Sequence, residues 1–256
     1  MRLATFNVNS VRSRLPILER WLPDSGVDLL FLQETKVVDA DFPAAPFTEM
    51  GYKAYFHGEK SYNGVAALAR EGIDAEVSFG FDDGEEPDFS TRVLLLRTGV
   101  LTVLNTYVPQ GKEITHPDFE LKKRFLARVR EIIEREMDRP FVWVGDLNVA
   151  PTEIDVTNPK DKKNHVCFCQ EIRDCFARTR EGLTDLLRKF RPQEGEYTFF
   201  DYRVKDALTR NIGWRIDHAL ASPSLAERAT DCFVDRGPRG AVKPSDHTPL
   251  VADLQF

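Results

Sequence analysis

Six apolar runs of strand length in this chain break off at acids, amides or an imidazole. "RLATFNV" leads to Asn7 and Asn9, "VDLLFLQ" to Gln33 and Glu34, and "LTVLNTYV" carries Asn105 and Tyr107. "FVWVGDL" brings Asp146 and then Asn148, "WRIDHALA" holds Asp217, and Asp246 with His247 stand just before "PLVADLQF". Polar groups beside buried runs are costly unless paired, hydrogen-bonded or bound to metal. A single case is most often a cap or turn; six of them, read as the carboxyl ends of strands, describe one cleft fed by several strands. "GVAALAR" (64–70) and "RVLLLRT" (92–98) raise the strand candidates to eight. Helical spacing appears in "LPILERWLPD", in "LTDLLRKF" and in "DFELKKRFLARVREIIEREMD", whose stripe is Leu121, Phe125, Val129, Ile132 and Ile133. Consecutive strands over 64–108 require partly antiparallel sheets, so an α/β two-sheet sandwich is expected rather than one doubly wound sheet.

No linker, short-period repeat or low-complexity segment interrupts residues 1–256, so one domain is expected. No long apolar run or signal-like start is present, and a monomer in the cytoplasm, with no membrane partner, is the expectation. Cys167, Cys169, Cys175 and Cys232 then read as reduced thiols, and "CFCQEIRDC" lacks zinc-ligand spacing. "GFDDGEEPDFS" (80–90) reads as a solvated loop. A net charge of −6 argues against a protein that coats nucleic acid non-specifically, yet it fits an acidic cleft that holds a divalent cation. Phosphate-binding loop, Gly-x-Ser-x-Gly, metalloprotease-helix and dinucleotide motifs are all absent from the sequence. Oxygen donors with one imidazole suit Mg²⁺ or Mn²⁺ and phosphate-ester chemistry.

"FNVNSVR", "LQETK", "YVPQG", "GDLNVAPTEID", "GWRIDHALAS" and "KPSDHTP" occur in an order that resembles the exonuclease III type of abasic-site endonuclease, within the endonuclease/exonuclease/phosphatase superfamily. Deoxyribonuclease I, sphingomyelinases, inositol-polyphosphate phosphatases and deadenylases share the acid, the amide and the terminal Ser-Asp-His. "LQETK", "YVPQG" and "GWRID" belong to the DNA-repair branch. The resemblance implies a deoxyribonuclease I-like four-layer α/β sandwich of two mixed β-sheets flanked by helices. It also implies Mg²⁺-dependent cleavage of double-stranded DNA 5′ to abasic sites, with 3′–5′ exonuclease and 3′-end-processing activity on damaged or recessed ends.

Glu34 is the expected principal metal ligand, with Asn7 and Asp246 nearby and Asn9 bound directly or through water. Asp146 and Asn148, two residues apart in an extended segment, are expected to face the phosphorus together. By resemblance Asp146 orients or deprotonates the attacking water and Asn148 donates to a phosphoryl oxygen. His247 serves as donor or base with Asp217 orienting it, and which of Asp146 and His247 takes the proton stays open. "YVPQG" makes Tyr107 a contact to the phosphate or the leaving 3′-oxygen. By resemblance Phe199, Trp214 and Ile216 line the pocket for a flipped-out sugar, and Arg12, Lys36, Tyr62, Asn63 and Gln110 contact phosphate or groove. His57, His116, His165 and His218 are expected to be structural. Where the resembling family often has "NPKxNKKNAGF", this chain has "NPKDKKNHVCF", with one residue fewer between Asn-Pro-Lys and Lys-Lys-Asn. A bulkier residue in that loop would narrow the sugar slot and favour 3′-end processing.

Overall fold

The computed structural model describes residues 1–256. The strands are β1 (Arg2–Asn7), β2 (Leu29–Gln33), β3 (Tyr52–His57), β4 (Val65–Arg70), β5 (Glu76–Phe79) and β6 (Val93–Arg97). They continue as β7 (Thr102–Tyr107), β8 (Phe141–Asp146), β9 (Thr184–Asp185), β10 (Asp217–Ala221), β11 (Ala229–Val234) and β12 (Leu250–Leu254). The helices are α1 (Val11–Ser25), α2 (Ala44–Glu49), α3 (Pro117–Glu136), α4 (Gln170–Thr179), α5 (Leu186–Phe190) and α6 (Pro223–Ala226).

Two six-stranded sheets form, in the orders β11-β12-β1-β2-β4-β3 and β5-β6-β7-β8-β10-β9. Each has one parallel pair, β1 with β2 and β7 with β8, and every other neighbour is antiparallel. Parallel neighbours need a long crossover, and α1 and α3 supply them. Between the sheets lies an apolar layer that includes Leu3, Phe31, Val65, Leu96, Val144 and Leu250. Outside it, α1 and α2 cover the first sheet through Leu18, Leu22 and Phe47, while α3 and α4 cover the second through Phe125, Val129 and Ile172. This is the expected four-layer sandwich. No helix is long and apolar enough to cross a membrane.

Several local expectations change. Strands β3, β5, β9 and β11 were not expected; all four are edge strands, whose half-exposed residues blur the apolar pattern. In "LTDLLRKF" only Leu186–Phe190 is helical, because Thr184 and Asp185 pair with β10. Along α3 Leu121 is half-buried, and Lys122, Leu126 and Arg128 join the buried face. All four cysteines are buried and free. The 80–90 segment is a loop, pinned by Arg128, whose guanidinium donates to Asp83 at 2.6 and 2.7 Å. His57 pairs with Asp39, and His116 caps α3 by accepting from the Asp118 amide at 3.1 Å.

Candidate active site

One end of the sandwich collects the polar pairs, for a reason that corrects the sequence reading. Asn7, Glu34 and Asp146 do stand at or just beyond carboxyl ends of β1, β2 and β8, but Asp217 opens β10, and Asp246 and His247 precede β12. Because β10 and β12 run antiparallel to β8 and β1, their starts lie beside the other strands' ends. Register then sets Tyr107, Asp146 and Asp217 in one row across β7, β8 and β10. Gly145 allows the close approach of β7 and β8: its φ is +131° and a Cβ there would lie 2.0 Å from the Thr106 carbonyl oxygen.

The Ser-Asp-His loop is tied to the first sheet. Ser245 Oγ donates to the Asn7 carbonyl at 2.7 Å and accepts from the His247 amide at 3.2 Å. Asn9 Nδ2 donates to Asp246 Oδ1 at 3.0 Å. The imidazole of His247 is thereby held between two acids. Its Nδ1 lies 2.8 Å from Asp217 Oδ2, and its Nε2 lies 3.7 Å from Asp146 Oδ2. Burial alone would make this histidine neutral, but Asp217 and Asp146 overcome it and raise its pKa to about 10. Asp146 moves the other way from an ordinary acid. Burial, opposed by His247 and reinforced by Asp217 and Glu34, raises it to about 7. One oxygen of Asp217 holds His247, while the other, buried Oδ1, has no partner.

On the opposite side, Asn7 Nδ2 donates to both Glu34 Oε1 at 2.8 Å and Asp146 Oδ2 at 2.9 Å, so this amide bridges the two carboxylates. Burial opposes ionisation of Glu34, yet Asn7 and Lys36 outweigh it and hold the carboxyl below its ordinary pKa. Glu34 sits in left-handed backbone, φ +51°, and the Thr35 and Lys36 amides donate to the Gly64 and Asn63 carbonyls at 3.1 and 2.9 Å. Lys36 Nζ lies 2.7 Å from Glu34 Oε2 and 2.6 Å from Asn9 Oδ1. Lys36 thus neutralises the Glu34–Asn9 corner, whose donors are all oxygens and could hold a hard cation. The ligand atoms of Asp146, Asp217 and His247 also lie within 4.8 Å of one another and could hold a metal.

Asn148 departs from the extended segment expected of it. Its φ is +51°, its amide donates to Asp146 Oδ1 at 3.0 Å, and the pair forms an Asx turn. The side chain is fixed separately, Nδ2 donating to the Val108 carbonyl at 2.9 Å. One N–H of that group is left for the cleft. Tyr107 is half-buried, and burial, with Glu34 and Asp146 facing it, pushes its phenol well above its ordinary pKa.

These groups floor a cleft of about 390 Å³ whose walls include Gln110, Phe199, Trp214 and Ile216. Phe199 meets His247 edge-on at 5.0 Å and pairs with Trp214 through main-chain bonds. Arg12, Tyr62 and Asn63 do not line this cleft. Arg12 and Tyr62 are exposed, and the Asn63 amide is bound to Glu59, its carbonyl serving instead to hold Lys36. Lys162 and Cys167, in the loop expected to border the slot, line the cleft, and sequence reasoning missed Asp201 and Arg203, which line it too. His165, read as structural, lies in the loop expected to border the sugar slot. The imidazole lines the cleft with its centroid 4.6 Å from Trp214. His218 is structural. Arg215 Nη1 lies 3.1 Å from its Nδ1, which must accept, so Nε2–H donates to the Val149 carbonyl at 2.8 Å. Arg215 in turn is clamped by Asp155 and Asp185 at 2.6 and 2.7 Å, a buried network that the "GWRID" motif encodes.

Residues 4–247 match the model of the endonuclease/exonuclease/phosphatase family. The chain belongs to that family. It is 34% identical to exodeoxyribonuclease III of Haemophilus influenzae, over 100% of both chains. Among solved structures, an AP endonuclease from Archaeoglobus fulgidus superposes with a TM-score of 0.96 at 45% identity, covering 100% of both chains. A 3′ phosphatase from Neisseria, bound to a product DNA hairpin, gives 0.94 at 35% identity, again over 100% of both. The similarity of sequence and fold is thus to the exonuclease III type.

Proposed function

We propose that this chain is a DNA-repair nuclease that hydrolyses phosphodiester bonds 5′ to abasic sites in double-stranded DNA and trims 3′ ends, with Mg²⁺ as its ion and Mn²⁺ as a substitute. The observation that carries the reading is His247 clasped between Asp146 and Asp217 on the floor of an aromatic-walled cleft, beside the Glu34 corner. Glu34 would hold the ion, with Asn9 and Asp246 adjoining and Asn7 fixing the carboxylate. When bound, the ion supplies charge neutralisation for a phosphoryl oxygen.

The opposite demands on the two groups support one distribution of the proton. With a pKa near 10, His247 is protonated at neutral pH and acts as a donor to the phosphate. Asp146, near 7, is basic enough to take the proton of the attacking water. Asn148 offers its remaining N–H to a second phosphoryl oxygen. Tyr107, kept protonated, donates to the phosphate or the leaving oxygen. Activity therefore rises with pH as Asp146 ionises and falls once His247 loses its proton, a bell-shaped profile.

A second reading, predominant 3′-end processing with weak abasic cleavage, is favoured by the His165 ring packed at a tilt against Trp214 in the slot wall. The Neisseria relative is a 3′ phosphatase, and that of Archaeoglobus is an AP endonuclease. Labelled duplexes carrying an internal abasic site or a 3′-phosphate, assayed beside inositol phosphates, separate the possibilities. Turnover of DNA only is expected, with His165→Gly raising abasic cleavage relative to 3′-phosphate removal. Preference for inositol phosphates would refute the DNA assignment.

A further inference from the structure

Helix α3 carries a charge that the catalytic scheme does not use. Lys122 is fully buried, and its ammonium gives all three hydrogens to main-chain carbonyls: Asn148 at 2.7 Å, Val166 at 2.8 Å and Gln110 at 3.2 Å. No main-chain N–H reaches any of these three oxygens. They belong to three separate loops, and each loop contributes to the cleft wall, through Gln110, through Asn148, and through His165 with Cys167. Gly111, at φ +96°, turns the first loop over the lysine, placing a Cβ there only 3.4 Å from Lys122 Cδ. A buried ammonium with no carboxylate partner is an expensive way to fill space, since an apolar side chain of similar length would avoid the desolvation. What the charge supplies is one fixed point shared by three loops.

Asn148 gains most from it. Its amide N–H is held by Asp146, its side chain by Val108, and Cys167 Sγ lies 3.8 Å from its Oδ1. Lys122 fixes the remaining group, the carbonyl, of a residue in left-handed backbone. We propose that Lys122 is a positioning residue for turnover, tying Asn148 and the two neighbouring cleft walls to α3 so that the Asn148 amide stays aimed at the reacting phosphate. The proposal rests on the reading of Asn148 as a phosphoryl donor.

The test is a double-mutant cycle on a nicked duplex with a 3′-phosphate, in Mg²⁺, using Lys122→Met, Asn148→Ala and the double variant. A displacement of about 1 Å at a positioned group costs about a hundredfold, so Lys122→Met should lose about that in kcat while KM stays within about threefold. The double variant should be no slower than Asn148→Ala, because the group that Lys122 positions is already gone. Losses that multiply, or wild-type kcat in Lys122→Met, would overturn the proposal. Should Lys122→Met lack a cooperative thermal transition, Lys122→Gln, which keeps two N–H donors, carries the same comparison. Wild-type turnover in Asn148→Ala, with Lys122→Met still slow, would instead discard the role given to Asn148, and this proposal with it.

Discussion

Asp217→Asn removes one of the two charges that keep His247 protonated and leaves the cleft's shape nearly unchanged. The carboxylate lies 2.8 Å from Nδ1, both groups are buried, and their charge centres are about 4 Å apart. At an effective dielectric constant of about 20 that separation is worth about 4 kcal/mol, or about three pKa units. The pKa of His247 should therefore fall from about 10 to about 7. If the protonated imidazole is the active form, the alkaline limb of the kcat profile moves down by the same three units. Asp217→Asn then loses about a hundredfold more activity at pH 9 than at pH 6, relative to wild type. The assay is the pH dependence of single-turnover cleavage, with the His247 ring followed by NMR titration in parallel. An alkaline limb that stays near pH 10, or an equal loss at both pH values, would refute the argument that Asp217 acts through the charge of His247.

Asp146→Asn should lower turnover by about 10³-fold or more, with the Kd for duplex DNA changed by less than about threefold; equal losses in both would remove Asp146 from the chemistry. Glu34→Gln should raise the Mg²⁺ concentration for half-maximal rate by at least about tenfold, measured by metal titration. Arg215→Met leaves Asp155 and Asp185 buried without their shared cation and should cost about 3–5 kcal/mol in urea unfolding. Burial opposes ionisation of both acids, but Arg215 outweighs it and holds both pKa values low. Their contribution is complete above pH ~4 and is lost as pH falls through the depressed values, so stability declines in acid; Arg215→Met should flatten that decline.

The polar strand ends were legible because an acid or amide beside a buried run has few inexpensive explanations, and their order along the chain matched one family. Glu34, Asp146, Asn148 and His247 all line the cleft, and Asp217 is buried behind His247. Their approach was not legible: strand direction is a tertiary property, and nothing local shows that Asp217 and His247 come before their strands. The Asx turn at Asn148 competed with the extended reading of "DLN" and won because β8 ends at Asp146. Lys122 was invisible for a different reason. Beside Lys123 and Arg124 it reads as surface charge, and only the three loops folded over α3 bury it. Of the contacts assigned by resemblance, Gln110, Phe199, Trp214 and Ile216 line the cleft, while Arg12, Tyr62 and Asn63 lie outside it. His165 was legible only through its loop, where "NPKDKKNHVCF" departs from the family pattern.

The central claim is that oxygen donors around Glu34 hold a single hard cation while the Asp146–His247–Asp217 row acts on a phosphate beside it. The most direct measurement is anomalous diffraction from crystals soaked in Mn²⁺. The account predicts one principal peak within bonding distance of a Glu34 oxygen, lost in Glu34→Gln. A peak centred between Asp146, Asp217 and His247, with none at Glu34, would contradict it.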